Sequence, residues 1–196
     1  MDYLLRQADR VSQAAAWLCG VALILISLAI VFDVFVRMYF GFSLQGTDEL
    51  GGYVLAFVGA WTCTYTLFNR AHIRIDSLTR FLPPYARAVL DIVGLAVLGV
   101  FITYLSVRCW FVLTDSWEFS SRSITPLQIR LWIPQSVWVA GFFFFLLVIM
   151  LIFIKTLTAL IKGDIEAVGR LIGTRTRVEE VSDEIAEEPS AIDSRQ

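Results

Sequence analysis

The stretch from Leu131 to Ile154 reads LWIPQSVWVAGFFFFLLVIMLIFI and contains no charged residue. A helix of about 20 mainly apolar residues is what crosses the hydrocarbon core of a bilayer. Three further windows meet the same condition, Ala14–Val36, Tyr53–Phe68 and Val89–Leu113. Lipid offers no water to satisfy a bare backbone, so each window reads as a helix. The residue-by-residue alternation of a membrane barrel is absent. The fold expected is therefore an all-α integral membrane protein with four transmembrane helices and short amphipathic interfacial helices.

Composition agrees with this reading. The chain is 57% hydrophobic and 17% charged, whereas soluble domains carry about 25% charged residues. Arg6 and Arg10 ahead of the first window resemble a secretory leader. The apolar run is too long for one, however, and it ends in Asp33-Val-Phe-Val-Arg37 without a small-x-small cleavage site, so a retained helix is expected. Residues 178–196 hold seven of the 18 acids against Arg195 alone, leaving 11 acids and 15 bases elsewhere. Such an acidic tail, poor in aromatics, reads as solvated and disordered. Three regions follow: an amphipathic N-terminal segment 1–13, a four-helix domain 14–162, and a partly disordered acidic tail 163–196.

Basic residues set the expected orientation. Arg6, Arg10, Arg70, Arg74, Arg80, Arg87, Lys155, Lys162, Arg170, Arg175 and Arg177 flank one side of the spans. Arg37, Arg122 and Arg130 lie on the other, with Arg108 near its edge. The asymmetry puts both termini and the middle loop in the cytoplasm. In that middle loop Ile75, Leu78 and Leu82 recur at i, i+3 and i+7, which predicts an interfacial amphipathic helix stopped by Pro83-Pro84.

A few residues stand out chemically. Asp33 and Arg37 are four apart near the end of the first span, a spacing suited to an ion pair that snorkels to the interface. Asp48 and Glu49 fall in the first turn of the second helix, where the helix dipole favours carboxylates. Their closeness to Arg37 leaves room for an ion pair between helices. Gly52, Ala56, Ala60 and Thr64 form a stripe of small side chains along which another helix could approach closely. That helix could belong to this chain or to another protein. Trp61 lies beside the stripe and reads as packing. The three cysteines, Cys19, Cys63 and Cys109, read as small buried hydrophobes.

Chemistry is missing from the pattern. The one histidine, His72, falls in the middle loop and cannot by itself ligate a haem from two sides. No hydrolase, phosphate-binding or zinc motif is present. No pair of carboxylates falls at mid-span to form a proton or sodium site. The chain reads as a non-enzyme without cofactor or metal of its own.

In order along the chain come Asp33-Val-Phe-Val-Arg37, Phe40-Gly-Phe-Ser-Leu44, Asp48-Glu-Leu50 and Phe57-Val-Gly-Ala-Trp61. Arg70-Ala-His-Ile-Arg-Ile-Asp76, Leu82-Pro83 and Ser123-Ile-Thr-Pro-Leu127 with Trp132-Ile-Pro134 follow. Over residues 10–155 this series resembles the small, DctQ-type membrane subunit of tripartite ATP-independent periplasmic (TRAP) transporters. Gly51-Gly52 departs from it, since the family often has an Arg soon after the Glu-Leu pair.

The resemblance implies a scaffold subunit in the bacterial inner membrane that binds a large permease subunit. The large subunit would carry the substrate and sodium sites. A periplasmic substrate-binding protein would deliver an organic acid, often a carboxylate. Glu49 with Arg37 would then fix the scaffold near the periplasmic surface. His72, Arg74 and Asp76 would order the cytoplasmic loop or contact lipid headgroups. Nucleic acid has no place in this picture. Two other classes fit the residues without the resemblance. One is a four-helix membrane anchor for a non-transport complex, and the other, lacking a polar pathway to support it, is a small oligomeric transporter or channel.

Overall fold

The structure is a computed structural model that describes residues 2–42, 45–69, 83–164, 168–169 and 171. Among the described residues run four long helices: α1 (Asp2–Phe40), α2 (Thr47–Phe68), α3 (Pro84–Glu118) and α4 (Trp132–Ile161). All four are long and apolar enough to cross a membrane. Among the described residues the only extended pairing is an isolated antiparallel bridge between Arg122 and Arg130. His72, Arg74, Asp76 and the expected interfacial helix lie outside the described residues, as does most of the acidic tail.

Each expected window lies within a helix, apart from Leu131 just ahead of α4, but hydropathy understates helix length. At about 1.5 Å per residue, α1 is roughly 58 Å long, against roughly 30 Å of hydrocarbon. The helix runs unbroken through Arg6 and Arg10 because its early residues have their own packing face. Leu5, Ala8, Ser12, Ala15 and Cys19 are all buried there. Residues 2–13 are thus the first part of α1. Beyond α4, Val168 is fully buried and Leu171 packs against the same core.

Packing produces a row rather than a closed bundle. α1 packs along α2, α2 on α4, and α4 along α3, with slight contact between α1 and α4. The row is therefore α1–α2–α4–α3. Its core is centred on α4, where Phe145, Val148, Ile149 and Ile152 are buried against Leu67 of α2 and Leu95 and Ile102 of α3. α1 and α3 form the edges and keep many large apolar side chains exposed, among them Trp17, Leu25, Val100 and Tyr104. The three cysteines are free thiols, with Cys19 and Cys109 buried.

α2 and α4 meet most closely at Gly141. A Cβ built there would lie 2.9 Å from the Ala60 Cβ and 2.8 Å from Cδ1 of Trp61. Only a missing side chain permits that approach, as in other close helix crossings in lipid. The indole N–H of Trp61 donates to the Val137 carbonyl at 3.0 Å, and its ring stacks on Phe144 at 5.8 Å between centroids. Trp61 thus works as a clamp between two helices.

Candidate functional site

The most elaborate polar arrangement lies where the α3–α4 loop meets the start of α2. Its backbone is tightly self-bonded. Ser123 N–H donates to Ile129 O at 2.9 Å, and Leu131 N–H donates to Ser121 O at 3.1 Å. Beyond these rungs, at the loop tip, Gln128 N–H donates to Thr125 O at 3.1 Å, closing a turn over Pro126 and Leu127. Pro126 fixes its own φ and disfavours a helical Thr125. Ser123 and Thr125 share a hydroxyl contact of 2.9 Å, and Thr125 N–H donates to Ser123 Oγ at 3.2 Å.

This folded loop engages α2 at two points. The Thr125 hydroxyl donates to Oε2 of Glu49, and the Tyr53 hydroxyl, one turn along α2, donates to Oε1 of the same carboxylate. Both oxygens of Glu49 are occupied, one by its own helix and one by a loop 76 residues away. Beside it, Leu127 sits over Gly46, whose φ of 110° starts α2. A Cβ at Gly46 would come within 2.3 Å of Leu127 Cδ1. Glycine is required twice over here, by backbone conformation and by space. The side chain of Ile124, just ahead of the turn over Pro126 and Leu127, is fully exposed.

Of the residues singled out from sequence, Glu49 is the centre of this site, while Asp48 is exposed beside it. Arg37 bonds to Asp33 at 2.5 Å within α1. The Asp33 side chain is 2% exposed and that of Arg37 56%, so one end of the pair is buried and the other wet. Among the described residues the bridge from Arg37 to α2 is absent; Glu49 takes hydroxyl donors instead. The small-residue stripe divides: Ala60 and Thr64 are buried, whereas Gly52 and Ala56 are exposed. The α1 side chains beside this region are Ile30 and Ile26, whose tips would lie 3.7 and 3.9 Å from a Cβ at Gly51. At the position where the resemblance leads one to look for an Arg, an apolar contact stands.

Tyr53 and Thr125 escaped sequence reasoning as partners of Glu49, as did Ser123 as the support of Thr125 and Leu127 as the cover of Gly46. Tyr53 was accessible in principle, being four residues on and so on the same helix face. Nothing in the spacing of Ser123-Ile-Thr-Pro-Leu127 announces which helix end it meets.

Nothing in this arrangement activates a nucleophile or gathers metal ligands. Among the described residues no group of three His, Cys, Asp or Glu side chains could hold a metal ion. Its chemistry is that of a fastener: a carboxylate with both oxygens bonded, pinning a rigid loop to a helix end.

Comparison with known proteins found no significant match among curated proteins or solved structures. Residues 26–159 match the family described as tripartite ATP-independent periplasmic transporters, DctQ component. The matched region takes in the Asp33–Arg37 pair, the Glu49 fastener and the crossing at Gly141. The match covers more than half of the chain, which thus belongs to the DctQ family of TRAP transporter membrane components.

Proposed function

We propose that this chain is the static scaffold subunit of a sodium-driven, binding-protein-dependent transporter that imports an organic acid, most simply a carboxylate, across the bacterial inner membrane. The observation that carries the reading is the family match over residues 26–159. In this reading a large permease subunit holds the substrate and the sodium ions, and this chain widens and steadies it. Both termini and the middle loop face the cytoplasm, consistent with the excess of Lys and Arg there. The Glu49 fastener then lies at the periplasmic surface. There it stiffens a loop that presents Ile124 to a docking substrate-binding protein. His72, Arg74 and Asp76 would order the cytoplasmic loop or contact lipid headgroups on the opposite side.

The test is purification of the tagged full-length chain from native membranes in mild detergent, with mass spectrometry of what accompanies it. A stoichiometric large permease, together with sodium-dependent uptake of an organic acid that is lost on deleting this chain, is the expected result. Recovery of the chain alone, or with an enzyme, overturns the reading and leaves a membrane anchor in its place. Ile124→Asp is expected to weaken capture of the binding protein by the intact complex without dissociating the two membrane subunits.

A further inference from the structure

α3 lies at an edge of the row and packs on α4 through Leu95, Ile102, Ser106 and Cys109, all buried. At 100° per residue these four share one helix face. Tyr104, Arg108, Phe111 and Asp115 fall on the opposite face, and all four are exposed. Arg108 is the one charged residue between Asp91 and Asp115, and it forms no ion pair with any described residue. A cleft of about 460 Å³ opens beside it, lined by Arg108, Cys109, Phe111, Val112, Asp115 and Trp138.

A cation on a mainly apolar helix face near the end of a span is costly unless it is paired or reaches the interface. Asp115 is seven residues on, about 10 Å along the axis. Snorkelling to the nearer membrane surface is opposed by helix geometry. That surface lies toward the C-terminal end of α3, whereas Cα–Cβ bonds in a helix tilt toward its N-terminus. The other edge of the row differs in kind. Between Arg10 and Asp33, α1 has no charged residue, its exposed side chains include Trp17, Leu18, Leu25 and Leu28, and Asp33 itself is buried. Lipid tails satisfy that edge. They do not satisfy Arg108.

We infer that the α3 face bearing Tyr104, Arg108 and Phe111 is the surface on which this chain meets its large membrane subunit, with Arg108 bonded to a carboxylate on a partner helix. A guanidinium gives such a contact two parallel donors and therefore a fixed orientation. The aromatic neighbours supply packing area on either side. This inference rests on the reading above that a large permease is present.

The experiment places a photo-crosslinking amino acid at Tyr104 or, for comparison, at Leu25 on α1, in the otherwise native full-length chain in its own membranes. Crosslinking to the large subunit from position 104 and not from 25 is expected. Arg108→Glu is expected to reduce co-purification of the large subunit by about three- to tenfold, the range of interhelical hydrogen bonds in bilayers, with Arg108→Lys intermediate. Crosslinks from position 25 alone overturn the inference and leave the transporter reading intact. So does crosslinking of position 104 to phospholipid only, or undiminished co-purification with Arg108→Glu. If the unsubstituted chain brings down no large subunit, the reading on which the inference rests has failed instead.

Discussion

Thr125 donates its hydroxyl hydrogen to the carboxylate of Glu49, joining the α3–α4 loop to the first turn of α2 across 76 residues of chain. Hydrogen bonds to charged groups contribute about 1.5–3 kcal/mol. Thr125→Val removes this donor while conserving shape, and a loss of about that size is expected. The measurement is a double-mutant cycle with Glu49→Gln, by equilibrium unfolding in lipid nanodiscs. Coupling below roughly 0.5 kcal/mol, the usual error of additivity, would mean the loop is held by something else.

Gly46 faces two demands that substitution separates. Gly46→Ala meets both the positive φ and the Leu127 side chain, and a cost of about 1–3 kcal/mol is expected from the backbone alone. Adding Leu127→Ala relieves the steric part only. A double variant as stable as the Leu127→Ala single variant would show that the backbone at 46 is unstrained.

At the α2–α4 crossing, Gly141→Ala drives a methyl group into Trp61 and Ala60. Overpacking of this kind costs about 1–3 kcal/mol. Gly52→Ala is the matched control, because no atom lies within 4 Å of its would-be Cβ. Its effect on the isolated chain is expected to stay within about 0.5 kcal/mol. Thermal melting of the two variants side by side checks the contrast, and equal losses would contradict the crossing.

Arg37→Ala leaves the buried Asp33 carboxylate without the guanidinium that now bonds it. A loss of about 1–3 kcal/mol is expected, as for other buried groups deprived of a partner. Arg37→Lys restores much of it, and Asp33→Asn in the Arg37→Ala background recovers part of the remainder. Chemical denaturation in nanodiscs measures all three. An Arg37→Ala variant with native stability would place this pair among those surface ion pairs that contribute nothing measurable.

How far the sequence could be read depended on the physical signal each feature left. Transfer from water to lipid is strong and local, so four spans were legible from hydropathy alone. The true length of α1 was not, because Leu5 and Ala8 are buried by protein rather than by lipid. The small-residue stripe was seen, but its division has a geometric cause. Steps of four residues advance 400°, so each drifts 40° around the helix. Between Gly52 and Thr64 the drift reaches 120°, which carries one end of the stripe away from α4. Glu49 was legible as a carboxylate at a helix start. Its partner Thr125 was not, since a pairing between loop and helix leaves no periodicity to find.

The order α1–α2–α4–α3 carries a mechanical corollary. At about 8–10 Å between neighbouring axes, the outer helices stand at most about 25–30 Å apart, less where α1 leans onto α4, with one layer of helices between the two broad faces. Such a plate has a large area against the bilayer for its mass. Tipping it out of the membrane plane would drag the apolar flanks of all four helices through headgroups at once. A partner subunit held at its edge, as proposed above, would gain a keel, a body that resists rocking while leaving the far side of that subunit free to move.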